Sequence, residues 1–495
     1  MVLPILISHI AALFRRQSLV IGSIDPFGIV PYRLRQSTRS THTYVIGITG
    51  KGKSKLLEHC LFQDIIAGRG CALLDPHSDL ANDTMRYLAS NAKLAAAHWG
   101  RVVYFEPTRA DYQIPFNVLA SGFSPYETAQ NIVEAFQRTW PKTLEEAPRF
   151  ANIALAGILT LIANGLTLVD LPRLLTNSDF RNQLLANVTD PELLSFWEDR
   201  YQRWGREQPL MIESILNKVT AFTFNPYLRV ILGAKENRLN FRELMDEGKV
   251  LIVDLGRCDG ETRRLLGSLI VTGLEQAALS RKDQAEDRRP FYFYVDEFQD
   301  FSANEGSAKT FAQILSECRK FGLHLTLAHQ TLTQLGVRMR GALGNVQTKI
   351  VFGVEREDAE IMAKKLFSVN GEEVKHEVKD EWQQERTHPV FYSLAEQWEK
   401  AVAHIQNLRG RAALVKAPGR GVAQIRTINV KDTRCSQAKL ARIISELARR
   451  SGEPLTALKR DAPLAVQAAR AEVVDWEEAQ PVINPDEFAY VPSTY

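Results

Sequence analysis

Apolar residues follow two alternating patterns along this chain. Short runs that are apolar at nearly every position alternate with longer stretches in which apolar residues recur every three or four positions. The short runs are typical of parallel strands covered on both faces, and the longer stretches are typical of amphipathic helices. Strands are predicted at 44–46, 71–74, 102–105, 250–255, 291–295, 324–328 and 349–352, and helices at 53–67, 80–98, 262–280, 306–320 and 356–367. This alternation predicts a doubly wound α/β fold.

The strand pattern nearly disappears between 122 and 245. Helical spacing dominates there, and helices are predicted at 125–139, 147–164, 168–175, 190–204 and 208–222. We therefore predict that an all-α domain is inserted into the α/β core.

The flanks of the core have weaker patterns. Residues 15–42 are basic and irregular, which favours a solvated lead-in to the first core strand, with an arm that faces DNA or a partner as the alternative. Residues 370–390 are predicted to form a charged surface loop. The later elements are predicted as a helix at 393–401, strands at 412–416 and 422–428, and a basic amphipathic helix at 435–451.

These patterns divide the chain into four parts. The predicted parts are an N-terminal arm (1–42), an α/β core (43–121 and 246–430), an all-α insert (122–245), and a C-terminal helix with an acidic tail (431–495). A chain of 495 residues exceeds one ordinary core, which agrees with several domains.

Composition narrows the class of protein. Hydrophobic residues make up 45% and charged residues 24%, which is typical of a globular protein. The net charge is only +3, so any contact with nucleic acid must come from local basic patches. Five scattered cysteines form no C-x-x-C pair, which argues against a zinc site and a disulfide framework and favours the reducing cytoplasm.

Two apolar stretches raise the question of a membrane span. Residues 1–14 are apolar but contain Pro4, Ser8 and His9, and the run at 150–163 is similarly short. A spanning helix needs about 20 apolar residues. We expect no integral membrane segment and a cytoplasmic protein, with peripheral attachment to the inner membrane as the alternative.

One short motif carries specific chemistry. Gly47, Gly52, Lys53 and Ser54 fit G-x-x-x-x-G-K-[ST] between a predicted strand and a predicted helix. Glycines let the backbone N–H groups face phosphates at the helix N-terminus. We predict that ATP and Mg²⁺ are the cofactors, that Lys53 reaches the β- and γ-phosphates, and that Ser54 binds Mg²⁺. The predicted nucleotide-binding residues are Gly47, Ile48, Thr49, Gly50, Lys51, Gly52, Lys53, Ser54 and Lys55.

Two adjacent carboxylates end the strand predicted at 291–295. Asp296 can hold Mg²⁺, and Glu297 can align and deprotonate an attacking water. Ligands bind at this end of strands in open α/β sheets. The alternative is a pair of exposed acids at a strand end, and the upstream phosphate loop favours the catalytic interpretation.

Two further residues leave alternatives open. Gln330 ends the next predicted strand, where it can contact both the γ-phosphate and the attacking water or be an ordinary polar strand end. Arg319 lies on the preceding helix, where it can reach the nucleotide of a neighbouring subunit or form a surface salt bridge. His77 and His329 are interpreted as structural residues, because nothing near them completes a metal site.

Two basic groups are candidate DNA contacts. Arg338 and Arg340 lie in a predicted basic loop beyond Gln330. A second group, in the helical insert, is interleaved with Tyr201 and Trp204 and consists of Arg200, Arg203 and Arg206. Basic and aromatic residues together suit a DNA backbone or a single strand, although a solvated helix face is the commoner explanation.

Several of these motifs together resemble a known family. They are 44–54 (YVIGITGKGKS), 74–80 (LDPHSDL), 295–298 (VDEF), 316–323 (SECRKFGL), 327–330 (LAHQ) and 344–346 (GNV). Over about 40–120 and 245–370 the chain resembles the type IV coupling proteins of bacterial conjugation (TraG/TraD-like) and, more broadly, the FtsK/HerA-like DNA-pumping ATPases.

The resemblance implies a RecA-like P-loop ATPase core that works as a hexameric ring and moves DNA through a central pore. It also implies that Arg319 is an arginine finger and Gln330 a phosphate sensor, with a relaxase, nuclease or secretion channel as a partner. A second hypothesis is a nucleotide-switched adaptor that recruits a protein or nucleoprotein substrate. A small-molecule kinase is disfavoured, because it needs neither the insert nor an arginine from a neighbour.

Overall fold

The computed structural model describes residues 18–25, 27–91, 95–140, 149–283, 288–302, 305–370, 372–379, 387–431 and 435–460. The predictions for the apolar stretch at 1–14, for the acidic tail beyond 460 and for the first two residues of the helix at 147–164 lie outside the described residues.

Fifteen strands are assigned in the described part of the chain. They are β1 (Ser18–Ser23), β2 (Pro31–Arg35), β3 (Thr43–Ile46), β4 (Gly70–Asp75), β5 (Val102–Phe105), β6 (Tyr112–Gln113), β7 (Val250–Asp254), β8 (Phe291–Val295), β9 (Leu323–His329), β10 (Thr348–Val351), β11 (Val374–Lys379), β12 (Thr387–Phe391), β13 (Ala412–Lys416), β14 (Ala423–Thr427) and β15 (Glu453–Pro454).

The α-helices of the described residues fall before, within and after the predicted insert. They are α1 (Gln36–Arg39), α2 (Lys53–Ile66), α3 (Asp79–Ser90), α4 (Pro125–Thr139), α5 (Phe150–Ala163), α6 (Leu171–Thr176), α7 (Ser178–Leu185), α8 (Pro191–Ser195), α9 (Gln208–Phe224), α10 (Pro226–Leu232), α11 (Phe241–Asp246), α12 (Gly260–Ser280), α13 (Gln299–Ser302), α14 (Glu305–Glu317), α15 (Val337–Ala342), α16 (Arg356–Leu366), α17 (Leu394–Gln406), α18 (Gln437–Ser451) and α19 (Leu455–Arg460).

One large sheet of eleven strands organises the described residues. Its order is β2-β1-β14-β13-β10-β3-β9-β8-β4-β7-β5. The seven strands from β10 to β5 are parallel, and the four at the other end pair antiparallel. The parallel strands carry continuous apolar runs because helices cover both faces of this part of the sheet. The predicted doubly wound α/β core is confirmed.

Every described element from α4 to α11 is helical, as the pattern predicts. α4 begins with a capping box, in which Ser124 accepts from the backbone N–H of Glu127 and the Glu127 side chain accepts from that of Ser124. The helix predicted at 190–204 is wrong as one element. It is divided into α8, a π-helical turn (Phe196–Tyr201) and a 3₁₀ segment (Gln202–Glu207), with Gly205 in the left-handed region at φ +48°. The limits of the insert at 122 and 245 stay a prediction.

The prediction of an irregular lead-in over 15–42 is wrong for β1 and β2, which extend the sheet at its antiparallel end. Tyr32 and Leu34 are buried while Pro31 and Arg35 are exposed, so β2 has the period-two pattern of a half-covered strand. Arg39 follows and is also buried. Its guanidinium donates to both carboxylate oxygens of Asp64, at 2.8 and 2.6 Å. A segment whose basic sequence suggests a solvated arm therefore belongs to the core.

The charged loop predicted at 370–390 is also wrong. β11 and β12 form an antiparallel hairpin there. Lysine, glutamate and histidine occupy many of its positions, so the apolar alternation that marks a strand is weak.

None of the described helices is both long enough and apolar enough to cross a membrane. The run at 150–163 forms the helix α5, and many of its apolar residues are buried, as predicted.

Candidate nucleotide site

The phosphate loop (47–52) connects β3 to α2 at the carboxyl edge of the parallel strands. Gly50 and Gly52 adopt φ of +80° and +111°, which only glycine tolerates easily. A Cβ on Gly47 would lie 2.5 Å from the Cβ of Phe352, so a side chain is excluded there. Each glycine of the motif therefore has a steric reason in this fold, and the loop presents its backbone to the edge of the sheet.

Lys53 lies at the start of α2 and is buried. Its ammonium donates to the carbonyl oxygen of Gly47 at 2.6 Å, which curls the side chain over the loop. Burial lowers the pKa of Lys53, and the carboxylates of Glu297 and Asp296 oppose that shift. Ser54 follows and is exposed to the cleft. Both residues therefore lie at the start of the helix that follows the phosphate loop, and their contacts with a nucleotide stay a prediction.

Asp296 and Glu297 follow β8 directly, beside the phosphate loop. The backbone N–H of Asp296 donates to the Leu74 carbonyl at 3.2 Å, which continues the pairing of β8 with β4. Burial raises the pKa of Asp296 to about 7, and the nearby carboxylates of Glu297 and Asp75 add to the rise. A cation bound here would relieve that repulsion between acids.

Glu297 has a backbone conformation that is unusual for a residue with a side chain. Its φ is +42°, in the left-handed region. Such conformations cost about 1–3 kcal/mol and concentrate at functional sites. The unusual backbone conformation of Glu297 therefore coincides with a carboxylate that is held by hydrogen bonds from Gln299 and Gln330.

A chain of hydrogen bonds joins Glu297 to the phosphate loop. Gln330 donates from Nε2 to Oε1 of Glu297 at 2.8 Å, and Thr49 donates from Oγ1 to Oε1 of Gln330 at 3.1 Å. Gln299 donates from Nε2 to Oε2 of Glu297, also at 2.8 Å. Sequence reasoning missed Gln299, although it lies only two residues beyond Glu297. Residues from three parts of the chain therefore hold one carboxylate.

A second pair of buried acids lies beside this chain. Burial raises the pKa of Asp75 to about 6, although it accepts from the backbone N–H groups of Ala81 and His77. Asp254 accepts hydrogen bonds from Ser78 and, at 2.7 Å, from the Tyr104 hydroxyl. The sequence indicated that the segment at 74–80 lies at this edge, but the role of Asp254 depends on the pairing of β4 with β7.

The two histidines near the site have structural contacts. His77 is exposed, and only its backbone N–H reaches Asp75. His329 is buried, shares a hydrogen bond of 2.5 Å with the Tyr44 hydroxyl, and has its pKa lowered by burial to about 3. Within the described residues, no group of three or more His, Cys, Asp or Glu is arranged to hold a metal.

The donor set at the edge of the sheet suits Mg²⁺ all the same. This ion binds proteins through one or two carboxylates and takes its remaining ligands from water and phosphate oxygens. Ser54 supplies an exposed hydroxyl next to Lys53 at the start of α2, and Asp296 supplies a buried carboxylate whose charge acts on Lys53. The residues present therefore fit a magnesium ion that arrives with a nucleotide.

Two lysines of the predicted nucleotide-binding set have other partners. Lys51 donates from Nζ to the Leu408 carbonyl at 3.0 Å. Lys55 forms ion pairs of 3.0 Å with Glu58 and 2.8 Å with Asp83. Their assignment to the nucleotide stays a prediction, because in this structure both side chains bind protein groups around the loop.

Arg319 lies at the far end of the sheet from the phosphate loop. It belongs to a 3₁₀ turn (Cys318–Phe321) just before β9 and is exposed, whereas Gln330 follows the last residue of β9. Seven strand residues span about 23 Å. Arg319 is therefore remote from the phosphate loop of its own chain, and its role as an arginine finger stays a prediction.

The candidate DNA contacts are exposed to different degrees. The basic loop predicted around Arg338 and Arg340 is wrong, because both residues lie on the helix α15, where Arg338 is exposed and Arg340 is half-buried. In the insert, Arg203 is exposed and forms an ion pair of 3.2 Å with Asp199. Tyr201 is buried and contributes to the insert core, so it presents no stacking surface.

Comparison with known proteins shows a family-model match over part of the chain and a similar fold. Residues 290–393 match the family model described as the TraM recognition site of TraD and TraG. No curated protein matches the sequence.

Three solved structures illustrate the similarity of the fold. The unbound conjugative coupling protein TrwBdeltaN70 has 18% identity and a TM-score of 0.59, covering 86% of this chain and 93% of its own. TrwB in complex with ADP and Mg²⁺ has 18% identity and a TM-score of 0.57, with 86% and 94% covered. VirB4 of Thermoanaerobacter pseudethanolicus has 14% identity and a TM-score of 0.52, with 84% and 97% covered.

The fold and the phosphate loop together define a RecA-like P-loop protein with a helical region between the parts of its core. Within that class, the predicted resemblance to the type IV coupling proteins is confirmed by the family model and by the shared fold.

Proposed function

We propose that this protein is the coupling ATPase of a conjugation system, which hydrolyses ATP at subunit interfaces of a hexameric ring to move DNA. The observation that carries the proposal is the Glu297–Gln330–Thr49 chain, because it places a candidate general base against the phosphate loop. The nucleotide complexes of TrwB, with ADP and Mg²⁺ among them, support the same use of the loop here.

The residues have distinct tasks in this mechanism. Lys53 moves its hydrogen bond from the Gly47 carbonyl to the β- and γ-phosphates, and the loop N–H groups bind the same oxygens. Ser54 and Asp296 would hold Mg²⁺, and the bound ion would neutralise negative charge on the phosphates. Glu297 accepts the proton of the attacking water, and Gln330 holds the Glu297 carboxylate in place.

Arg319 completes the site from a neighbouring subunit. Its exposure and its distance from its own phosphate loop support a role in trans. An arginine supplied in this way stabilises the charge that develops on the transferred phosphoryl group. Arg338 on α15 is the better exposed of the two candidate DNA contacts, and Arg340 is the other.

The proposal is tested by measuring phosphate release with and without single- and double-stranded DNA over a range of salt concentrations. We expect DNA to raise the rate, and the stimulation to weaken with salt as contacts to DNA phosphates are screened. Glu297→Gln should abolish turnover and retain nucleotide binding. Equal rates with and without DNA at every salt concentration would contradict a DNA motor.

A nucleotide-switched adaptor is the second candidate, because the matched family model describes a TraM recognition site. A protein of the relaxosome, or a nuclease or secretion channel, is the partner that such an adaptor would recruit. Glu297→Gln separates the two functions, since it stalls a motor and leaves an adaptor that needs only bound nucleotide able to capture its partner.

We place the protein in the cytoplasm, with peripheral attachment to the inner membrane as the alternative. All five cysteines are free and buried, which suits a reducing compartment. Fractionation of cells that produce the full chain, followed by a high-salt wash of the membranes, distinguishes the two locations.

A further inference from the structure

A short turn at 408–411, between α17 and β13, lies against the phosphate loop. The backbone N–H of Arg411 donates to the Lys51 carbonyl at 2.9 Å, and Lys51 donates from Nζ to the Leu408 carbonyl at 3.0 Å. These two bonds attach the turn to the middle of the loop. Glu297 and Gln330 lie on the other side of the loop, beyond β3. The 408–411 turn therefore forms the opposite wall of the nucleotide site.

Arg411 has a backbone conformation that normally belongs to glycine. Its φ is +68°, although the residue just before it in the chain, Gly410, would tolerate that angle without strain. The Arg411 carbonyl is held by the backbone N–H of Thr427 at 2.8 Å and by the Thr427 hydroxyl at 3.2 Å. Strained residues of this kind cluster at ligand sites, where the side chain is needed in one place.

The side chain of Arg411 runs past the N-terminus of α2. Gly52 is the N-cap of this helix, and a Cβ on Gly52 would lie 3.7 Å from both Cα and Cγ of Arg411. Arg411 is half-buried, and its guanidinium makes no hydrogen bond or ion pair with any residue that the structure describes. An arginine without a partner is thus held beside the place where a nucleotide phosphate binds.

The position of the turn indicates which phosphate. The terminal phosphate must lie toward Asp296 and Glu297, so the nucleoside end leaves the loop on the side of Phe352 and the 408–411 turn. We propose that Arg411 binds the α-phosphate of the nucleotide, an inference that rests on the proposed nucleotide site. A guanidinium matches the geometry of phosphate oxygens and can bind two of them at once.

The test is calorimetric titration of the full chain with non-hydrolysable ATP and GTP analogues. Arg411→Gly removes the guanidinium and relieves the backbone strain, so we expect the unfolding temperature of the free protein not to fall. The affinity for both analogues should fall by the same factor, roughly tenfold or more. Arg411→Lys should restore part of the affinity. Arg409→Ala, which removes an equal charge from the same turn, should bind as the wild type does.

Each other outcome overturns the assignment. Wild-type affinity in Arg411→Gly would show that the side chain does not bind the nucleotide. If the affinity fell for only one of the two analogues, Arg411 would contact the base and not the α-phosphate. If Arg409→Ala lost as much affinity as Arg411→Gly, general charge at the turn would be the cause. If the wild type bound neither analogue, both this assignment and the proposed function would be wrong.

Discussion

The side-chain amide of Gln330 donates to the carboxylate of Glu297 at 2.8 Å, across two strands that adjoin in space and follow each other in the chain. Because Gln330 also accepts from Thr49, a change in the phosphate loop reaches the candidate general base through a single side chain. A phosphate bound at the loop can therefore alter the position of Glu297 through Gln330.

Gln330→Ala should reduce ATP turnover by roughly 10–100-fold and leave nucleotide affinity within a few-fold of the wild type. The reason is that Glu297 keeps its proton-accepting group and loses its alignment, and alignment contributes a large part of such catalysis. Steady-state turnover and equilibrium titration measure the two effects. Gln299→Ala is the matched control, since Gln299 holds the other carboxylate oxygen but has no bond to the loop. Equal losses in both variants would show that the bond to the loop has no special role.

A mixture of two inactive variants should regain ATPase activity. Lys53→Ala disables the phosphate loop, and Arg319→Ala removes the proposed arginine finger. In a mixed ring, an Arg319→Ala subunit keeps its loop and can receive Arg319 from a Lys53→Ala neighbour. Turnover should therefore rise well above that of either variant alone when equal amounts are combined.

The control for this mixture is the double variant with both substitutions, which should inactivate wild-type rings and restore nothing. If mixtures of the single variants stay inactive although they co-assemble, as measured by affinity capture of one tagged variant with the other, Arg319 does not act in trans.

Glu275 should make stability fall as the pH rises. It lies on α12 beside Arg138 of α4, and burial raises its pKa to about 7 even though the Arg138 guanidinium is 3.6 Å away. The folded protein therefore holds a proton that the unfolded chain releases near pH 4.5. Stability due to the neutral carboxyl is complete below that pH and is lost as the pH rises to about 7, by at most about 1.4 kcal/mol per pH unit.

Glu275→Gln should remove this part of the pH dependence and stabilise the protein at pH 8, as measured by the urea midpoint between pH 5 and 8. Glu134→Gln is the control, because Glu134 pairs with the same arginine at 3.0 Å but is 48% exposed. If the Glu275→Gln protein has the same midpoint change with pH as the wild type, another group is responsible.

Asp64→Ala should destabilise the protein by about 3–5 kcal/mol, because it leaves Arg39 buried without its carboxylate partner. Asp64 also accepts a hydrogen bond from the Tyr294 hydroxyl at 2.6 Å. The substitution therefore removes contacts that connect α1, α2 and β8. Urea unfolding measures the change. Glu446→Ala, which breaks an exposed pair with Arg449, should leave the urea midpoint nearly unchanged, because solvent screens this pair. A small effect at Asp64 would mean that water replaces the carboxylate.

Local pattern was sufficient for most of the core. The strands at 102–105, 291–295 and 412–416 and the helix at 125–139 have the predicted bounds. The spacing of apolar residues within each of these segments is enough to identify the element. β2 and the β11–β12 hairpin were missed, since polar and charged residues occupy many of their positions, and β1 was missed because its apolar run at 19–21 is only three residues long. Their strand character depends on pairing with another strand, which the apolar spacing within one segment does not encode.

The sequence by itself determined that a phosphate loop follows a strand at 47–54 and that two acids end another strand at 296–297. Those features depend on short-range geometry: glycines that must turn and a helix that must begin at Lys53. Only the tertiary structure decided that Gln330 bonds both Glu297 and Thr49, that Asp254 lies beside Asp75, and that Arg411 reaches the loop from the 408–411 turn. These contacts join residues as much as about 360 positions apart along the chain, so they follow from strand order, which local periodicity does not specify.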